Sequence, residues 1–231
     1  MTDEPGRLIA SGRAADVYDL GDGTVLRRYR DAHHDTAREA DVMRWVAERG
    51  VRVPTVRSAS GPDLVMERVD GRTMLQELEA APYRVVGCAR TLARLQARLA
   101  RVPAPEWLMA PGFTPDPSGD CVLHLDLHPM NVILAADGPV LVDWTNAAGG
   151  PAGFDAAMTY VTMSTAVVPD RRGQLLQRTL VGSFRRFRGR AVVDPYLAVA
   201  CDHRLGDPRL TPEERVAVAE LRRTVRGERS S

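Results

Sequence analysis

The chain has 231 residues, 44% of them hydrophobic, and a formal net charge of +1, which suits a soluble globular protein of one large domain or two small lobes and gives no reason to expect nucleic acid or an anionic membrane as partner. Lysine is absent, so all 31 basic residues are arginine, and chemistry that needs a lysine amine is excluded. The three cysteines, Cys88, Cys121 and Cys201, are far apart and form no CxxC pair, against a disulfide framework or a cysteine zinc site.

The start, Met1-Thr2-Asp3-Glu4-Pro5, is acidic and polar, unlike a secretory leader, and no apolar run reaches the ~18 residues that would span a bilayer. A cytoplasmic protein without membrane contact is expected. Ile9 to Tyr29 reads as strands, with Gly21-Asp22-Gly23 as a hairpin turn. A helix follows, with Asp35 as N-cap, a stripe of Ala40, Met43, Val46 and Ala47, and Gly50 at its end. Short strands are expected near Val56 and over Leu64-Val65-Met66, and Asp70-Gly71 breaks the pattern. The periodicity predicts a long helix over Val85 to Leu99, with Val86, Cys88 or Ala89, Leu92, Leu95 and Leu99 facing inward. Val102 to Ser118 is proline-rich and reads as a loop. Cys121-Val122-Leu123 and Val140-Leu141-Val142 read as two paired apolar strands flanking a polar loop. Gly153 to Val168 looks helical, and a last helix is marked by Thr211 as N-cap, Pro212 and Glu214 in a capping box. The expectation is an N-terminal lobe over residues 1–69, an antiparallel sheet with one helix, and a mostly helical C-terminal lobe over residues 70–231.

The densest polar cluster is His124-Leu125-Asp126-Leu127-His128-Pro129-Met130-Asn131, and Asp143 comes twelve residues after Asn131. Polar groups at the ends of buried strands make a rigid site. Phosphoryl transfer needs Mg²⁺ ligands, a carboxylate to position the acceptor hydroxyl and donors for the phosphates. Asn131 and Asp143 offer hard oxygens that suit Mg²⁺, and Asp126 offers the carboxylate.

His124-x-Asp126-Leu127-His128-Pro129-x-Asn131 followed by Val142-Asp143-Trp144 resembles the catalytic loop and metal-binding aspartate of the aminoglycoside phosphotransferase family, which has a protein-kinase-like α+β fold. The resemblance covers most of the chain up to about Tyr160. It implies ATP and Mg²⁺ as cofactors, Asp126 as catalytic base, Asn131 and Asp143 as magnesium ligands, and Asp155 as a brace of the loop. It further implies that Ser11-Gly12-Arg13 and the residues up to Tyr18 cover the nucleotide phosphates, and that Glu39 is the ion-pair glutamate of the first helix. The backbone of Glu67 and Arg68, in the linker between lobes, would hydrogen-bond adenine.

Three departures stand out. Arg27 occupies the place of the strand lysine that grips phosphate and pairs with the helix glutamate, and arginine is longer and forked. Two readings follow: Arg27 contacts phosphate and pairs with Glu39 in an active enzyme, or the protein is a nucleotide-binding pseudokinase with a regulatory or binding role. Gln96 stands where the family has a histidine, and it receives no role. The C-terminal lobe is short for the family.

An HxDxH cluster with Asp143 also resembles a hydrolase metal site, but the chain has only five histidines and hydrogen bonding within the loop suits His124 and His128 better. Trp45, Trp107 and Trp144 read as structural. The arginines at 185, 186, 188 and 190 read as a solvated helix face rather than a nucleic-acid patch. The family implies a small-molecule hydroxyl as acceptor, from an antibiotic, sugar or amino alcohol. From Arg171 to Ser231 there are 14 arginines against 7 acidic residues. That balance counts against a polycationic aminoglycoside as acceptor and leaves neutral or anionic metabolites open.

Overall fold

Short alternating segments separated by glycine turns build a five-stranded sheet. The computed structural model describes residues 6–12, 14–109 and 120–227; the acidic start, Arg13 of the expected phosphate turn and residues 110–119 of the proline-rich stretch lie outside the described residues. The strands are β1 (Arg7–Ser11), β2 (Ala15–Asp19), β3 (Thr24–Tyr29), β4 (Val56–Ser60) and β5 (Asp63–Glu67), ordered β1-β2-β3-β5-β4 with every neighbour antiparallel. The β2–β3 turn needs left-handed backbone at Gly21 (φ +84°) and Gly23 (φ +80°), which glycine adopts without steric cost. Asp19 and Asp22 then accept the N–H groups of Gly21 and Thr24.

Helix α1 (Ala37–Glu48) buries Glu39, Ala40, Val42, Met43 and Val46. Ala47, expected on the inner stripe, is exposed and Val42 takes its place. The N-cap is Thr36 rather than Asp35. The Thr36 hydroxyl donates toward the carbonyls of Gly61 and Asp63 and accepts no cap hydrogen bond, while Asp35 Oδ1 accepts the Ala37 N–H. At the other end Gly50 N donates to Ala47 O and Val51 N to Val46 O, a Schellman closure over buried Val46 and Val51.

The chain continues through β6 (Arg72–Thr73), α2 (Met74–Ala80), α3 (Val85–Leu99) and β7 (Cys121–Leu123), then the strands β8 (Val132–Ala135) and β9 (Gly138–Leu141). After β10 (Ala148–Gly150) come α4 (Ala152–Thr165), α5 (Arg171–Arg188), α6 (Arg190–Val193), α7 (Leu197–Leu205) and α8 (Pro212–Arg226). The residues cluster into two units, Met1–Gly71 with Ile133–Thr145, and Arg72–Val132 with Asn146–Ser231. In the first unit β9 pairs with β8 through the Asp137-Gly138 turn, and Leu141 N donates to Arg52 O. In the second, β7 pairs antiparallel with β10. The apolar strands 121–123 and 140–142 are therefore not each other's partners. Each is too short to fix its own pairing, and the tight turn at Gly138 (φ +128°) gives β9 a local partner.

Helix α3 starts and ends as the periodicity predicts, but its inner face is Val85, Cys88, Ala89, Leu92, Ala93, Gln96 and Leu99, with Val86 exposed. Helix α4 is buried on nearly every side and packs against α5, α6, α7 and α8, as expected of a helix apolar all round. The capping box of Thr211 and Glu214 is formed on α8. Trp144 is fully buried, whereas Trp107 is about half exposed (49%) and does not serve as core. Two of the four arginines read as solvated turn inward: Arg185 makes a forked pair with Asp194, and Arg188 reaches Gln96.

The approach of α4 to the turn before α7 depends on Gly153. A Cβ there would lie 2.3 Å from the Tyr196 ring and 2.8 Å from Val192 O. Gly153→Ala should destabilise the protein by about 1–3 kcal/mol through overpacking, read as a lower urea midpoint at unchanged m-value.

Candidate active site

In the second unit, β7 ends at Leu123 and the chain turns through His124, Leu125 and Asp126. Leu125 has φ +62°, and it and Asp143 (φ +67°) are the two non-glycine residues with left-handed backbone among the described residues. Such conformations cost on the order of 1–3 kcal/mol each and persist where surrounding bonds enforce them. Asp155 of α4, wholly buried, supplies the enforcement: its Oδ1 accepts the N–H of His124 at 3.1 Å and of Leu125 at 2.7 Å. Burial pushes the Asp155 carboxyl above its usual range, against the opposing pull of His124 and of these N–H donors.

Asp126, partly exposed, faces Asn131. Asn131 Nδ2 donates to Asp126 O at 2.9 Å and reaches Asp126 Oδ2 at 3.4 Å. With the amide nitrogen so committed, the Asn131 oxygen is directed away from Asp126. The histidines serve the loop itself: His124 Nδ1 accepts the Asp126 N–H and His128 Nδ1 the Met130 N–H, while His128 Nε2 lies 3.3 Å from Asn131 Nδ2. Among the described residues no group of three or more His, Cys, Asp or Glu is placed to hold a metal.

In the first unit, Arg27 of β3, only 12% exposed at its side chain, spans two carboxylates. Its Nη1 donates to Glu39 Oε1 at 3.0 Å and its Nη2 to Asp143 Oδ1 at 2.7 Å. Burial alone would lower the Arg27 pKa, but Glu39 and Asp143 outweigh it and hold it raised. Glu39 also accepts from the Tyr29 hydroxyl at 2.6 Å and from the Trp144 N–H at 3.2 Å. Thr145 Oγ1 donates to Asp143 Oδ1 at 2.9 Å and meets the Tyr29 hydroxyl at 2.6 Å. Burial, then the neighbouring Glu39 charge, keeps the Tyr29 phenol well above its usual pKa.

The remaining candidates lie elsewhere in this unit. Ser11 and Gly12 close the β1–β2 turn, with Gly12 N donating to Ala15 O. Ser11 Oγ donates to Asp16 and accepts from Arg30. At the end of β5 the Glu67 N–H is held by Thr55 O and the Arg68 N–H by Gly23 O. Neither N–H is therefore available to a base, which removes the donor half of the expected adenine contact.

The braced Asp-Asn loop thus lies in one unit and the arginine-bridged Glu-Asp pair in the other. The model of the phosphotransferase enzyme family, APH, matches residues 5–119 and 114–196. The chain belongs to this phosphotransferase family. No curated protein sequence matches it. Among solved structures it is similar to a thermostable mutant of aminoglycoside phosphotransferase APH(4)-Ia in ternary complex with AMP-PNP and hygromycin B. That pair shares 15% identity over 97% of this chain and 94% of the other, with a TM-score of 0.65. A choline/ethanolamine kinase family protein from Mesorhizobium loti shares 13% identity over 100% and 90%, with a TM-score of 0.60. Amicoumacin kinase hAmiN, in complex with AMP-PNP, Ca²⁺ and Ami, shares 14% over 99% and 90%, with a TM-score of 0.56. At these identities the likeness establishes the fold: this member of the family has the kinase-like α+β fold, an antiparallel N-terminal sheet with a helix followed by a helical C-terminal region. No helix among its described residues is long and apolar enough to cross a membrane.

Four residues around the phosphotransferase motifs carried no expected role: Tyr29, Gln96, Thr145 and Arg188. Tyr29 and Thr145 are joined by contacts 116 positions apart in sequence, which no local pattern reveals. Gln96 left a trace only as a departure from the histidine that the family has at that place.

Proposed function

We propose that this phosphotransferase moves the γ-phosphoryl group of ATP to a hydroxyl of a small molecule. The observation that carries the reading is the loop on which Asp126 and Asn131 are hydrogen-bonded together over a left-handed turn held by Asp155. Asp126 orients the acceptor hydroxyl for in-line attack and takes up its proton. Asn131 and Asp143 are the residues that would hold Mg²⁺; as donors they fit, since each offers oxygen and the Asn131 nitrogen is already turned to Asp126. Held there, such an ion would supply positive charge toward the phosphates. Arg27, oriented by Glu39, meets the same phosphates, and the turn at Ser11 and Gly12 covers them. With the N–H groups of Glu67 and Arg68 committed, their carbonyls are left to accept from the adenine amino group.

The acceptor is a neutral or anionic alcohol. In the second unit Asp194, Asp202 and Asp207 are each paired with arginine, so these carboxylates are already neutralised toward a polycation.

One observation favours a second reading, a nucleotide-binding pseudokinase with a regulatory role: Arg27 Nη2 already occupies Asp143 Oδ1. Thermal unfolding with Mg-ATP, followed by ADP release across a panel of antibiotic, sugar and amino-alcohol hydroxyls, tests both. At ~100-fold excess over Kd, binding adds about 2.7 kcal/mol, equal to a rise of roughly 5–10 °C for a chain of this size. The first reading requires that rise together with acceptor-dependent ADP release. A rise with no release against any acceptor supports the second, and no rise with any nucleotide overturns both.

A further inference from the structure

Helix α5 ends at Arg188, followed by Gly189 in left-handed backbone (φ +100°). An arginine in a last helical turn is well served by solvent and the helix dipole, as exposed Arg186 illustrates. Arg188 instead turns inward. Its Nε donates to Gln96 Oε1, and burial lowers its pKa against the opposing pull of Asp155.

Gln96 is itself only 1% exposed. Its Nε2 donates to Ala152 O at 3.1 Å and reaches Asp155 Oδ2 at 3.4 Å. A carboxamide has one acceptor end and one donor end. With Arg188 on the oxygen, the nitrogen must face Asp155. A cation, an oriented amide and a buried carboxylate therefore stand in line, and the far oxygen of that carboxylate holds the N–H groups of His124 and Leu125. Apolar residues at positions 96 and 188 would fill the space at lower desolvation cost. A fully satisfied polar network instead selects one arrangement of what it touches.

We propose that Arg188, acting through Gln96, is a positioning residue for the turn that carries Asp126. Arg188 reaches the Asp155 carboxyl through the Gln96 amide, which fixes Asp155 Oδ2 from behind. Held so, Asp155 takes two N–H groups on its other oxygen and keeps Leu125 left-handed. The packing of α5 on α3 is thereby tied to the direction in which Asp126 leaves the loop. The positioning stands on geometry alone; only its effect on turnover rests on the phosphotransfer reading.

Amide hydrogen exchange on the full chain tests it, with Arg188→Met, Arg188→Lys and Gln96→Leu. In Arg188→Met, exchange at His124 and Leu125 should accelerate about 10-fold relative to β2 and β3, as in local rather than global opening. Arg188→Lys, which keeps the charge, should restore most of the protection. Turnover of ATP should fall roughly 10- to 100-fold in Arg188→Met, with KM for ATP within about 2-fold of the wild type. Unchanged exchange at His124 and Leu125 overturns the proposal, as does a uniform acceleration across the second unit that lysine fails to reverse. Should Arg188→Met not fold, the near-isosteric Gln96→Leu decides by the same exchange readout. A protein without phosphotransfer would leave the exchange result standing, so failure of the functional reading and failure of the positioning are separable.

Discussion

Asp126→Asn should lower ATP-dependent phosphorylation of the acceptor by a factor on the order of 10²–10⁴ while leaving stabilisation by Mg-ATP within about 1 °C of the wild type. The carboxamide keeps the size of the side chain. The backbone contacts also survive: the N–H at position 126 still donates to His124 Nδ1, and the carbonyl still accepts from Asn131. What disappears is an oxygen able to take a proton from a hydroxyl. Asp126 is partly exposed, with 23% of its side chain accessible, so the exchange should change stability little. Single-turnover transfer against the best acceptor of the panel, beside the melting shift with nucleotide, separates the outcomes. A variant that transfers within threefold of wild type removes Asp126 from the chemistry. Loss of both transfer and nucleotide stabilisation would assign the residue to binding instead.

The loop around Asp126 was legible because its chemistry is written in contiguous residues: eight positions contain the base, the amide and both histidines that tie the turn together. The pairing of Arg27 with Glu39 was legible only through resemblance, since nothing in the strand VLRRY distinguishes Arg27 from Arg28. In the structure Arg28 binds Asp63 near the sheet's end, while Arg27 reaches Glu39 and Asp143. Alternation along β3 puts the two on opposite faces, but which face is inner depends on where α1 lies. Gln96 was visible as an anomaly and could not be interpreted, because its partners Asp155 and Arg188 lie 59 and 92 positions away. The strand partner of Cys121–Leu123 was hidden for another reason. It is Ala-Gly-Gly, a segment with no strand propensity that pairs because buried backbone must be hydrogen-bonded.

Glu39→Ala should destabilise the protein by about 3–5 kcal/mol, the usual cost of removing one partner from a buried ion pair. Only 4% of the Glu39 side chain is exposed, and its two oxygens accept from Arg27, Tyr29 and the Trp144 N–H. Its removal strands a guanidinium that is almost as buried, leaving Asp143 as its remaining charged partner, and takes one acceptor from the Tyr29 hydroxyl and one from the Trp144 N–H. The cost belongs to the stranded groups more than to the pair, and this can be measured. Adding Arg27→Met to Glu39→Ala removes the stranded charge, so the double variant should regain at least about 2 kcal/mol over the single one in urea unfolding. Nucleotide stabilisation should not return with it. In the proposed site Arg27 is the cation that meets the phosphates, so the recovered fold should be one that ATP no longer stabilises. A double variant as unstable as Glu39→Ala alone would mean that Tyr29 and Trp144, rather than Arg27, are what Glu39 chiefly serves. A double variant that still melts higher with Mg-ATP by the wild-type amount would take Arg27 out of the phosphate site.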